Sequence, residues 1–159
     1  MAKVLLNCTV NSEKVEIMID DRDSLADVLR NQLRLTSVKK GCEVGECGTC
    51  TVLINDEAFD SCIYLAIWAE GKEIRTLEGL MDEEGNISDI QQAFIDEGAI
   101  QCGFCTCGFV MSSVAVVEDE EEKTKDEIRK ELSGNLCRCT GYENIYNAVE
   151  KVKNNRSNS

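Results

Sequence analysis

The chain has 159 residues, 43% of them hydrophobic, with a net charge of −13, ten cysteines and neither histidine nor proline. That length holds one ordinary domain or two small ones with a packed core, and the apolar content excludes general disorder. So acidic a balance argues against nucleic acid, whose binding needs clustered lysine and arginine, and mostly serves solubility without naming a partner.

The opening "MAKVLLNCTVNSEKVEI" has too short an apolar run for an export signal, and no stretch nears the roughly 20 apolar residues of a membrane-spanning helix. A cytoplasmic protein without membrane contact is expected. In such a compartment, dense cysteine points to metal binding and not to a disulfide framework.

The first twenty residues alternate apolar and polar side chains around "NSEK" and predict a hairpin. "SLADVLRNQL" places Leu25, Val28, Leu29 and Leu33 on one helical stripe, with Ser24 and Asp27 as a capping box. A glycine- and cysteine-rich loop follows. "TVLI" at 51–54 predicts a strand, "NDEA" a turn, and "EIRTL" at 73–77 a later strand. The period changes in the second half. "SDIQQAFIDEGA" opens with a Ser88/Gln91 capping box, "FVMSSVAVV" is strongly apolar, and "TKDEIRKEL" opens with Thr124/Glu127 and ends near Gly134 as a C′ residue. "ENIYNAVEKVK" sets Ile145, Ala148, Val149 and Val152 on one face. These read as four helices. "EDEEE" at 118–122 reads as a solvated loop. The expected organisation is α+β: a sheet domain over 1–77, a polar linker over 78–88, and a four-helix domain over 89–159.

Two cysteine constellations carry the chemistry. Cys42, Cys47, Cys50 and Cys62 follow the C-x4-C-x2-C…C spacing of plant-type [2Fe–2S] proteins. A tight loop can aim three thiolates at one compact cluster if its backbone bends sharply. Gly41, Gly45 and Gly48 supply that freedom and let amide groups approach the sulfurs. Structural zinc usually uses paired short knuckles. The second set is Cys102 and Cys105, thirty-one residues, then Cys137 and Cys139. Here spacing alone leaves zinc and iron–sulfur both open. Without histidine, a Rieske centre, a c-type haem, Cys2His2 zinc and a Cys–His hydrolase are all excluded. No substrate-transforming site is evident, so the chain is expected to conduct electrons.

"SVKKGCEVGECGTCTVLIN", "QCGFCTCGFVMS" and "LSGNLCRCTGYENI" resemble the small iron–sulfur subunit of the molybdenum hydroxylases, over residues 3 to about 152. "DSCIYLAIWAEGKEIRTLEG" is most similar to the separate-chain small subunit of bacterial xanthine dehydrogenases. The resemblance implies two [2Fe–2S] clusters, one on Cys42, Cys47, Cys50 and Cys62 in a ferredoxin-like β-grasp domain. The other would lie on Cys102, Cys105, Cys137 and Cys139 in the four-helix domain. It also implies a large subunit holding a molybdenum–pterin cofactor and a medium subunit holding FAD, with electrons passing from the first cofactor to the second. Gln101 matches a glutamine lying against the pterin, and Cys139 the ligand nearest it. Aldehyde, nicotinate and carbon monoxide dehydrogenases share the pattern, and a free-standing ferredoxin is a further alternative that leaves the second set unused. The chain departs from relatives in having Cys107 where proline is usual and Thr49 where alanine is usual. Cys107 is expected to be a buried bystander, and Cys8 a core residue of the first hairpin.

Overall fold

The computed structural model of the chain describes residues 2–157. Residue 1 and residues 158–159, the outer ends of the two expected domains, lie outside the described residues.

The described residues form an α+β fold: a five-stranded mixed sheet followed by four packed helices. Strands β1 (Lys3–Val10) and β2 (Glu13–Asp20) make the expected hairpin, in register from Lys3 opposite Asp20 to Val10 opposite Glu13. Asn11 and Ser12 turn it in the left-handed region, at φ 50° and 68°, as a two-residue hairpin turn requires. Strands β3 (Thr51–Ile54), β4 (Glu57–Asp60) and β5 (Glu73–Arg75) complete the sheet in the order β2-β1-β5-β3-β4. Among the described residues only β1 and β5 run parallel. "NDEA" is turn only at Asn55 and Asp56, at φ 50° and 67°; Glu57 and Ala58 already pair in β4.

The helix expected from Ser24 narrows to α1 (Leu25–Asp27), continued by a π-helical turn over Val28–Gln32. Ser24 caps it by accepting from the Asp27 amide at 3.1 Å and donating to the Asp27 carboxylate at 2.6 Å. The widened turn frees Arg30 to donate to the carbonyls of Thr36 and Val38, at 2.7 and 2.9 Å. The chain entering the cysteine loop is thereby anchored.

The second half contains α2 (Asp89–Asp96), α3 (Thr106–Glu118), α4 (Lys125–Glu131) and α5 (Glu143–Ser157). Both capping boxes, Ser88/Gln91 and Thr124/Glu127, are present. Gly134 is not a left-handed cap; α4 runs into a 3₁₀ turn over Leu132–Gly134. The 118–122 charge run is not all loop. Glu118 is the last residue of α3 and pairs with Arg75, and Asp119 pairs with Lys123 at 2.7 Å.

Two apolar cores result. One lies against the sheet, around Leu6, Ile19, Leu25, Leu29, Val52 and Ile74. The other lies among the helices, around Phe94, Phe109, Met111, Ile128, Leu132 and Ile145. Leu53 belongs to the second core although it sits on β3. The β3 run "TVLI" is therefore buried on both faces, which explains why it does not alternate. Helix α3 is packed between β3 and α5 and is apolar all round for the same reason. No helix among the described residues is long and apolar enough to cross a membrane.

Candidate metal centres

Residues 41–50 wrap a short loop between the π-helical turn and β3. Glu43, Gly45 and Gly48 adopt φ of 59°, 76° and 67°. Those reversals turn amides inward, and the N–H groups of Val44 and Glu46 donate to Cys42 Sγ at 3.5 and 3.3 Å. The donors hold the Cys42 thiol down, at about 7. Gly41 serves a different purpose from the bending expected of it. Its φ is ordinary, but a Cβ there would stand 2.9 Å from both Cys47 Sγ and Thr49 Oγ1. Cys50 follows at the edge of β3, where burial pushes its thiol up to about 12. Cys62 arrives after the β3–β4 hairpin. Ser61 secures that approach by donating to the Cys50 carbonyl at 2.6 Å.

The second set comes from two loops. Cys102 precedes α3 and Cys105 is its N-cap. Cys137 and Cys139 lie between α4 and α5. The Cys137 sulfur accepts from the amides of Cys139 and Thr140, both at 3.4 Å, and from the Thr140 hydroxyl at 3.1 Å. Burial opposes ionisation of Cys137, but these donors prevail and lower it. Tyr142 Oη accepts from the Cys137 amide at 3.0 Å and fixes the loop from behind. Burial pushes Cys105 up to about 12, and contact with Cys102 raises Cys139.

Within each set the thiols lie near enough to act on one another electrostatically, most strongly Cys42 with Cys47, Cys50 with Cys62, Cys105 with Cys137 and Cys102 with Cys139. Among the described residues no three Cys, Asp or Glu side chains gather about one point as a single ion would require. Paired thiols suit a two-iron cluster, in which each iron takes two sulfurs. The donor set fits that group in both places, with soft sulfur ligands and N–H groups aimed at them, and the first adds a cradle at Gly41 that a Cβ would fill.

The two sites adjoin. The Leu136 amide donates to the Cys47 carbonyl at 3.0 Å, joining the neighbour of Cys137 directly to Cys47. Buried Asn135 donates to the Gly48 carbonyl, also at 3.0 Å. Gly108 of α3 lies so close that a Cβ would fall 1.9 Å from the Gly48 oxygen. Lys39 Nζ sits 5.7 Å from the centre of the Phe104 ring across the same seam. Nothing in the cysteine spacing announces this seam, because its partners lie some sixty to ninety residues apart.

Gln101, Cys102 and Cys139 are all exposed. Cys8 is buried in the sheet core. Cys107 is half-buried two positions past Cys105, about 200° around the helix. Burial raises its thiol, and its charged neighbours are Lys39, Glu78 and Arg30. Two hydroxyls near sulfur, Thr49 on Cys47 and Thr140 on Cys137, were not legible from the spacing.

Comparison with known proteins agrees with this geometry. Residues 8–79 match the 2Fe-2S iron-sulfur cluster binding domain family, and residues 76–150 the [2Fe-2S] binding domain family. The xanthine dehydrogenase iron-sulfur-binding subunit of Escherichia coli O157:H7 is 51% identical over 155 residues, covering 94% of this chain and 96% of that protein. The nicotine 6-hydroxylase small subunit of Paenarthrobacter nicotinovorans is 47% identical, covering 92% of this chain and 88% of that protein. Among solved structures, quinoline 2-oxidoreductase from Pseudomonas putida 86 superposes with a TM-score of 0.92 at 38% identity, over 98% of this chain and 96% of its own. With two [2Fe–2S]-binding domains in tandem and relatives of this closeness along nearly its whole length, the chain belongs to the small iron–sulfur subunits of the molybdenum hydroxylases.

Proposed function

We propose that this chain is the electron relay of a xanthine dehydrogenase-like hydroxylase, between a molybdenum–pterin site on a large subunit and FAD on a medium subunit. Cys42, Cys47, Cys50 and Cys62 hold one [2Fe–2S] cluster, and Cys102, Cys105, Cys137 and Cys139 hold the other. Each cluster, when bound, takes up and gives back one electron. The chain's own residues set where and how easily that happens. Amides donate to Cys42 and Cys137, and the Thr140 hydroxyl to Cys137, spreading the negative charge of the ligating sulfurs. The linker over 78–88 divides a domain over 1–77 from one over 89–159, and the seam around Gly48, Gly108 and Asn135 holds the two sites at fixed separation.

The observation that carries this reading is the Leu136 N–H to Cys47 O=C bond, which joins a ligand of one site to the immediate neighbour of a ligand of the other. A free-standing ferredoxin has no use for that bridge. The exposed face bearing Gln101, Cys102 and Cys139 is the side offered to the pterin. None of the ten cysteines is drawn into a disulfide, which suits a reducing cytoplasm, and the acidic composition suits neither nucleic acid nor membrane.

A purine substrate for the holoenzyme is supported by the 51% identity with the xanthine dehydrogenase subunit. Another nitrogen heteroaromatic is the second reading, on the 47% identity with the nicotine 6-hydroxylase subunit. Tagged chain purified from its own cells should bring large and medium subunits with it, and the complex should oxidise hypoxanthine or xanthine. Co-purification with activity only on pyridine or aldehyde substrates rejects the purine reading. Failure to co-purify any partner rejects the relay.

A further inference from the structure

We propose that the Thr49 hydroxyl donates a hydrogen bond to the Cys47 sulfur and raises the reduction potential of the first cluster alone. The inference rests on the reading of Cys47 as a ligand of that cluster. Thr49 is buried, at 5% exposure, so water does not compete for its hydroxyl. Thr49 Oγ1 lies 3.3 Å from Cys47 Sγ and 3.1 Å from the Lys39 carbonyl oxygen. With a free thiol, either partner in the first contact can donate. A ligating sulfur has lost its proton, so there the hydroxyl is the only donor.

The hydroxyl has one proton and two acceptors to choose between. A bond to an anionic acceptor is roughly twice as strong as a neutral one, which directs the proton to the sulfur and away from Lys39. The backbone makes room for this pair: a Cβ at Gly41 would stand 2.9 Å from each of the two atoms. Reduction adds negative charge to the cluster and its sulfurs, so the bond strengthens in the reduced state. A donor that favours the reduced form raises the potential. The Cys42 sulfur is served by main-chain amides that any residue at 44 or 46 would provide. The Thr49 contribution is a side chain and can be removed without touching the loop backbone.

A bond that strengthens enough on reduction to favour the reduced form by about tenfold raises the potential by about 59 mV for a one-electron couple. The test is a redox titration of the intact protein followed by low-temperature EPR, in wild type, Thr49→Ala, Thr49→Val and Thr49→Ser. The midpoint of the first cluster should fall by about 59 mV in the alanine and valine variants and return with serine, while the second cluster stays put. An unmoved first midpoint in Thr49→Ala overturns the proposal. So does an equal shift in both clusters, or a shift with alanine that valine does not reproduce, since valine keeps the branched shape and lacks the hydroxyl. A wild-type protein without a first-cluster signal would instead strike the reading of Cys47 as a ligand.

Discussion

Gly108→Ala adds one methyl group to α3, and two effects of opposite sign decide its outcome. Alanine is the better helix former by about 1 kcal/mol at an interior position. Its Cβ, however, would stand 1.9 Å from the Gly48 carbonyl oxygen and 2.9 Å from Thr49 Cα. Ordinary carbon–oxygen contact begins near 3.3 Å, so α3 and the cysteine loop must part by roughly 1.4 Å. Both partners are backbone, and no rotamer change relieves the clash. Overpacking of this kind costs about 1–3 kcal/mol. The same displacement stretches the Asn135–Gly48 and Leu136–Cys47 bonds, both 3.0 Å, at about 1 kcal/mol each. The net loss is about 2–4 kcal/mol, or a fall in melting temperature of roughly 4–16 °C for a chain of this size. Thermal denaturation of the cluster-loaded protein reads it directly, with Gly134→Ala as the matched control. Nothing lies within 4 Å of a Cβ at Gly134, and its φ is ordinary, so that variant should be as stable as wild type or slightly more so. Equal stability of Gly108→Ala and wild type would refute the close approach at the seam.

Three further outcomes are expected. Cys47→Ser should abolish one of two reduced [2Fe–2S] EPR signals and spare the other; loss of both, or of neither, contradicts the division of the ligands. Gln101→Ala should slow reduction by the large subunit in stopped-flow measurements with both clusters still loaded, and unchanged kinetics would remove its contact with the pterin. Asp89 accepts from Arg156 at 2.8 and 2.7 Å, and that guanidinium holds its carboxyl below the ordinary 3.8. Its contribution is therefore complete above pH 3.8 and fades as pH falls below that. Asp89→Asn should be less stable than wild type at pH 7 in urea titrations, with the gap narrowing in acid; a gap independent of pH would contradict the pairing.

Much of the fold was readable because local chemistry and long-range packing agree. The β1–β2 hairpin follows from alternation and a turn dipeptide, and the α2 and α4 starts from capping residues three apart. The reading failed where tertiary context overrides local pattern. "NDEA" reads as a turn through Ala58, although Glu57 and Ala58 are strand, because β4 is an edge strand with little buried surface. The π-helical turn after α1 depends on Arg30 reaching the carbonyls of Thr36 and Val38, which no helical periodicity reveals. The cysteine spacings pointed to both thiol sets and left the identity of the second metal open. They were silent on the seam, since Gly48, Gly108 and Asn135 are ordinary loop or helix residues until the chain folds them together. They were equally silent on Thr49, whose hydroxyl matters only because it lies beside a sulfur.

The most direct measurement is iron and acid-labile sulfide analysis of the anaerobically purified chain, together with EPR after stepwise reduction. Two [2Fe–2S]-binding domains require about four irons and four sulfides per chain, with two separable signals. Two irons and one signal, or zinc in place of iron at either set of cysteines, would contradict it.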